Sequence, residues 1–240
     1  MIIFDTSRSL TLIKNKERYI IMSKLLKIIV AAVFLASTAH AAQFNLGVSG
    51  MIVDLDADGS ETLKTTGVVA KKTHNETFGA GEIFLEVAPE GGGLTLGVAV
   101  IPAEAEIGSN SLARTDILTD NSGSSVTNKA SAEFSGHTTV YIALPVRDTG
   151  FYLKAGMGQV DVKTTESLGT GAAYGDQSID FVTIGAGYER SLDNGLFARV
   201  EGTYADYDKV ELKSTGSDAV STVTGEIDSM TARVSIGKSF

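Results

Sequence analysis

The sequence predicts an all-β fold, an eight-stranded antiparallel transmembrane up-and-down β-barrel, and three observations carry that expectation. Apolar and polar residues alternate with a period of two along most of the chain. Short turn-like connections alternate with long polar ones, and charged residues sit in mid-strand on the face that also carries the small residues. Composition agrees: 26 glycines against 3 prolines suit strands joined by turns, and 43% hydrophobic with 20% charged residues is not the make-up of a disordered chain.

The first 41 residues read as an address rather than as part of the barrel. From Met22 the chain carries Lys24 and Lys27, then an apolar run from Ile28 to Leu35, then the small-residue site Ala39-His40-Ala41. That is the three-part pattern of a cleaved secretory signal, and its apolar run is far shorter than the ~20 residues a spanning helix needs. Residues 1–41 are therefore expected to be an N-terminal extension plus signal peptide, with translation starting at Met22 and cleavage near Ala41, and residues 42–240 the barrel domain. Removing 1–41 takes six of the 20 basic and two of the 29 acidic residues, which leaves the barrel domain at a net charge of −13.

Each strand shows the same two-faced pattern. Phe44, Leu46, Val48 and Ile52 fall on one face of the first, and Ile83, Leu85 and Val87 oppose Glu82, Phe84 and Glu86 in the second. Leu94, Leu96, Val98 and Val100 alternate with Thr95, Gly97 and Ala99. Val140, Ile142 and Leu144 face away from His137, Thr139 and Tyr141, and Leu153, Ala155 and Met157 away from Lys154, Gly156 and Gly158. Val182, Ile184, Ala186 and Tyr188 oppose Thr183, Gly185, Gly187 and Glu189; Ala198, Val200 and Tyr204 oppose Arg199, Glu201 and Thr203. The final strand alternates Met230, Ala232, Val234 and Ile236 with Thr231, Arg233, Ser235 and Gly237, ending at Phe240.

The short connections are Pro89–Gly93, Pro145–Gly150 and Ser191–Gly195, and the long ones Asp54–Asn75, Pro102–Ala132, Lys163–Gln177 and Lys209–Gly225. Their alternation puts the two kinds at opposite ends, short turns periplasmic and long loops extracellular. Asp148-Thr149-Gly150 and Asp193-Asn194-Gly195 supply residues that tolerate positive φ in tight turns.

Which face is buried decides between a soluble sandwich and a barrel in lipid. Glu82, Glu86, Lys154, Glu189, Arg199, Glu201 and Arg233 share the small-residue face, where a soluble core would have to exclude them. In a membrane the assignment inverts: the apolar stripe meets hydrocarbon and the polar stripe lines the lumen. Eight strands enclose a lumen just wide enough for side chains to fill, so Arg199 and Arg233 are expected to pair with some of Glu82, Glu86 and Glu201.

On these features the chain resembles the small outer-membrane barrels of the outer-membrane-protein-A transmembrane-domain and opacity-protein (porin family) type. The segments carrying the resemblance are the signal, the glycine-rich strands Tyr152–Gly158 and Thr183–Tyr188, the Phe197–Tyr204 strand and the closing Ser229–Phe240. The resemblance implies a bacterial outer-membrane location, contact with lipid and lipopolysaccharide, and Phe240 as an assembly signal read by the barrel-assembly machinery. No sequence follows Phe240, so the peptidoglycan-binding domain of some relatives is not expected.

Other constellations are weaker. Asp54-Leu55-Asp56-Ala57-Asp58-Gly59 resembles the start of a calcium loop, but Thr65 stands where a bidentate Glu is expected, which favours a plain acidic outer segment. Ser135 and His137 share a face as in some lipid A deacylase barrels, without an identifiable carboxylate to orient the base. His74 has no clustered ligands, and Tyr188, Tyr204, Phe44 and Phe240 suit interfacial aromatic girdles. The chain has no cysteine, which excludes disulfides, thiolate metal sites and a lipidated cysteine; its acidity excludes a nucleic-acid partner.

The expected function is structural and interactive, a non-enzymatic barrel that needs no cofactor and displays acidic extracellular loops to an unknown ligand. A narrow porin-like channel for ions or small solutes is the alternative, and a lipid-modifying enzyme the third.

Overall fold

A computed structural model describes residues 42–63, 69–89, 93–117, 123–167, 173–215 and 221–240. The signal segment with Ala39 and Ala41, and Thr65, lie outside the described residues. The strands are β1 (Ala42–Leu63), β2 (Val69–Pro89), β3 (Thr95–Val100), β4 (Ala105–Ile117), β5 (Gly123–Pro145), β6 (Phe151–Ser167), β7 (Gln177–Ser191), β8 (Leu196–Lys213) and β9 (Ser221–Ser239). All pair antiparallel in the order β3-β2-β1-β9-β8-β7-β6-β5-β4, and β3 also pairs with β5, which closes the ring. β3 lies against Thr138–Ala143 of β5 and β4 against Gly123–Phe134 of the same strand. β3 and β4 are thus two pieces of one barrel strand, and the nine strands fill eight positions. Closure between β1 and β9 runs from Asn45↔Ser239 to Leu63↔Ser221, so the first and last strands leave no open edge for lipid to meet.

The segments expected as long loops are largely strand. Hairpins β4–β5 and β8–β9 continue upward as paired ladders, and Lys163–Ser167 of β6 pairs with Lys129–Glu133 of β5, because the two-residue alternation persists there and each ladder satisfies its own backbone. At the lower end the turns are tight: Gly150 (φ 81°), Asn194 (φ 61°) and Gly195 (φ 75°) take the left-handed conformation, and so does Arg147 (φ 53°).

The apolar residues change face partway up β1, β6, β7 and β9. In β1 the outward residues Leu46, Val48 and Ile52 are exposed, whereas Met51, Val53 and Leu55 point inward and are buried. β6 goes from outward Leu153 and Met157 to inward Val160 and Val162, β7 from outward Ile184 and Val182 to inward Phe181 and Ile179, and β9 from outward Val234 and Met230 to inward Ile227. A sheet surrounded by lipid is apolar outside, and one surrounded by water is apolar inside. The switch therefore marks where the barrel wall leaves the bilayer. Above it, Leu55, Phe134, Val160, Val162, Ile179, Val210, Leu212 and Ile227 form one buried cluster within the barrel. Each such side chain is worth about 1.5–3 kcal/mol over an exposed one. The expectation of a polar lumen holds below the switch and is corrected above it.

Candidate functional site: a cavity beside a break in the wall

Below the switch the lumen is filled by paired charges. Glu86, 1% exposed, accepts a bidentate pair from Arg199 at 2.6 and 2.7 Å, a bond from the Tyr141 hydroxyl at 2.7 Å and one from Asn45 Nδ2 at 3.1 Å. Arg199 Nε reaches Glu189 at 2.6 Å, and its guanidinium lies over the rings of Phe197 and Phe84 at 4.5 and 5.4 Å. A second group centres on Glu201, which accepts from Lys154 Nζ at 2.9 and 3.2 Å, from the Tyr152 hydroxyl at 2.8 Å and from Arg233 Nη1. Arg233 Nη2 meets Glu82 at 3.3 Å, Ser49 donates to Glu82 at 3.4 Å, and Lys154 sits 3.9 Å over the Tyr141 ring. All seven charged residues expected in the lumen meet in these two groups, through ladders that set β8 between β7 and β9. Glu82, Glu86 and Glu201 balance Arg199, Arg233 and Lys154, and the fourth carboxylate, Glu189, is 34% exposed. A buried charge is tolerable when it is paired and hydrogen-bonded, and these are both.

One wall of the barrel is broken. β2 is laddered to β3 only from Val87↔Leu96 to Ile83↔Val100. The last rung of the broken strand is Ile101 N–H to the His137 carbonyl at 3.0 Å, and pairing with β5 resumes at Ala105↔Phe134. Pro102 stands in the gap, and a proline has no N–H to give a ladder. Across from it β5 shifts register between Ser135 and Thr138, with Gly136 at φ 63°. A non-glycine residue would be strained there, and the bulge re-aims the strand. Glu104, in the gap, is held by Lys163 of β6 at 2.9 Å, and Glu133 lies 3.8 Å from the same ammonium.

Between the charge groups and the upper apolar cluster lies a cavity of about 80 Å³, against roughly 10–15 Å³ for one water on the same scale. It is large enough for a small organic molecule. Glu82, Lys154, Arg233 and a set of threonines (Thr139, Thr183, Thr203, Thr231) face it from the charged side, and Val53, Leu55, Phe134 and Phe181 from the apolar side. Its third side is the break: Phe78, Gly79 and Ala80 of β2 line it, as do Ile101, Ala103, Glu104 and Ala105.

His137 lines this cavity, stacks on Phe181 at a centroid distance of 4.5 Å and brings Nε2 to the Tyr207 hydroxyl at 3.4 Å. Ser135 is buried on the other side of the bulge. His74 pairs with Glu76 at 3.3 Å on β2. Asp54, Asp56 and Asp58 stand in the extended strand β1 instead of a loop, so they point along one outer face about 7 Å apart. Such a row cannot wrap one cation, which corrects the calcium-loop likeness. Asp54 and Asp58 accept from Thr77 and Thr73 at 2.8 and 2.5 Å, and Asp56 lies opposite Asp228. Among the described residues no cluster of metal-ligating side chains is present. Tyr188, Tyr204 and Phe240 are 37, 41 and 71% exposed on the outer wall, and Phe44 exchanges two backbone bonds with Phe240, at 3.2 and 2.8 Å.

No family model matches the chain, and no curated protein sequence does. Among solved structures it is similar to the outer membrane protein OprG from Pseudomonas aeruginosa, at 12% identity and a TM-score of 0.51, over 83% of this chain and 96% of that one. It is also similar to the outer membrane protein AlkL, at 14% identity and a TM-score of 0.50, over 84% of this chain and 92% of that one. The chain has the fold of the small outer-membrane β-barrels. Within that fold this chain has a lumen plugged by charge below, packed with aliphatic side chains above, and a break in the wall to one side. Reasoning from sequence missed the cavity wall formed by Val53, Leu55, Phe134 and Phe181. The signal was present as the change of parity, with Val160-Asp161-Val162-Lys163 apolar on even positions where Leu153, Ala155 and Met157 are apolar on odd ones.

Proposed function

We propose that this barrel resides in the bacterial outer membrane and binds a small apolar solute in the cavity, exchanging it sideways through the break between β2 and the β3–β4 strand. On this reading the precursor is exported by its signal peptide, cleaved near Ala41 and assembled through Phe240. The observation that carries it is the lining of the cavity: charge groups close it on one side, the aliphatic cluster on the other, and both edges of the break form the remaining wall. An axial channel for ions is disfavoured because a path along the lumen must separate the Glu86–Arg199 and Glu201–Lys154 pairs, and breaking a buried pair costs about 3–5 kcal/mol. The reading assigns no reaction and no cofactor to the chain. A surface-interaction role is favoured by one observation of its own: Asp56, Asp228 and Asp206 lie directly opposite one another above the apolar band, a row that would meet a cationic extracellular partner, or lipopolysaccharide through bridging divalent cations.

The test is to fill the cavity. Ala205, buried and lining it, replaced by Trp should abolish uptake of a small apolar fluorophore by the refolded barrel. The variant should keep the migration difference between boiled and unboiled samples that marks a closed barrel in detergent gels. Undiminished uptake by a folded Ala205→Trp barrel sinks the reading.

A further inference from the structure

Resting on that reading, we infer that the solute is a single uncharged aromatic ring, of the size of toluene, and neither a saturated hydrocarbon nor a fused bicycle. Five rings border the cavity: Phe78 of β2, Phe134 and His137 of β5, Phe181 of β7 and Tyr207 of β8. Side chains two positions apart on a strand share a face. Phe78 therefore faces inward with Ala80, His137 with Thr139, Phe181 with Thr183 and Tyr207 with Ala205, and all four of these neighbours line the cavity too. Phe78, His137 and Tyr207 are only half-buried, so part of each inward ring is open to the chamber. Phe134 and Phe181 are buried behind them.

Four of the rings already meet one another. His137 stacks on Phe181 at 4.5 Å with the planes 27° apart, and Tyr207 meets Phe181 at 5.0 Å, Phe134 at 5.6 Å and the His137 edge at 6.3 Å. Phe78, at the edge of the break, meets no other ring among the described residues. An aromatic ring has a negative face and a positive edge, so ring on ring gains something beyond the area it buries. A saturated hydrocarbon of equal size gains only the area. An aromatic solute would continue the series from Tyr207 and His137 and give Phe78 its partner. Volume sets the size: about 80 Å³, at roughly 10–15 Å³ for each water-sized place, holds one substituted ring and is too small for two fused ones. The floor excludes a charged solute, since Glu82 and Glu201 already balance Arg233 and Lys154 and a further buried charge there would go unpaired.

The experiment uses the full chain in lipid nanodiscs, with toluene, methylcyclohexane and naphthalene compared at equal membrane concentration. Binding is read by competition with the apolar fluorophore and by the ring-proton resonances of Phe78 and Tyr207. Toluene is expected to bind about two- to tenfold more tightly than methylcyclohexane, the range for aromatic pairs beyond area burial, to outcompete naphthalene, and to move both sets of ring protons by its ring current. In Phe78→Leu, which keeps an apolar side chain and loses the ring, the preference for toluene should shrink while methylcyclohexane binds as before. Should that variant fail to close into a barrel, the wild-type ring-proton shifts decide alone. Equal binding of toluene and methylcyclohexane with unmoved ring protons overturns the inference while leaving the cavity reading standing. Naphthalene binding as tightly as toluene overturns the size argument. Competition by none of the three overturns the cavity reading itself.

Discussion

A glycine on the inner wall of this barrel is a seat for a ring. Gly97 lies directly opposite Tyr141, Gly187 opposite Tyr152, Gly158 opposite Phe181 and Gly237 opposite Phe197. In each case a Cβ on the glycine would fall well inside van der Waals contact with that ring. The rings cover backbone that glycine leaves bare, and two of them, Tyr141 and Tyr152, thereby place their hydroxyls on Glu86 and Glu201. Gly97→Ala is expected to push Tyr141 off Glu86 and cost about 1–3 kcal/mol, the usual range for overpacking. Gly50→Ala, whose Cβ would meet nothing within 4 Å, should be close to neutral. Urea unfolding from lipid vesicles measures both, and equal stability of the two variants would remove the seat-and-ring account. The residues of the charge groups were legible in the sequence because ionised side chains in mid-strand demand partners. The pairing Glu86–Arg199 was not, since those residues lie 113 positions apart and only the closure of the sheet makes them meet.

At the scale of elements, the broken strand is the feature that makes a barrel into a site. Pro102 ends one ladder, the Gly136 bulge takes up the mismatch opposite, and the Glu104–Lys163 pair ties the gap to β6. Lys163 holds the Glu104 carboxyl below its ordinary range, and Glu104 holds the Lys163 ammonium above its own, each through their hydrogen bond first and their charge second. The tie is therefore complete above the ordinary carboxylate range and lost as pH falls through the lowered Glu104 pKa. On the alkaline side it is lost as pH rises through the raised Lys163 pKa. Both groups are solvent-exposed, so the effect belongs to the position of the segment more than to global stability. A carboxyl-carbon NMR titration of the full chain should show Glu104 titrating low, and Lys163→Ala should move its midpoint upward; an unmoved midpoint would show that the tie does not form. Sequence alternation identified the strands on either side of this break. It read Pro102–Ala132 as a loop because polar, short-side-chain residues such as Ser109, Asn110 and Ser111 carry little strand propensity of their own. Pairing with β5 overrides that weakness.

At the scale of the whole molecule, the barrel is two environments stacked on one axis, inverted relative to each other. The lower part is greasy outside and ionised within; the upper part is acidic outside and aliphatic within. Together they block the axis twice. Planar-bilayer recordings of the full chain are accordingly expected to show no steady single-channel current, and a steady current whose ion selectivity changes on reversing Glu201 to Lys would overturn the plugged-lumen account.

What the sequence by itself determined was the period, the turns and the inversion. Those are local: a side chain's face follows from counting by two, and a charge on the small-residue face has nowhere to go but a lumen. Which charges pair, where the wall opens and what the cavity is lined with were decided only by the tertiary structure. The physical reason is register, because each ladder fixes its neighbour's height by one residue at a time, and only the closed ring of ladders tells Arg199 of β8 that it stands across from Glu86 of β2.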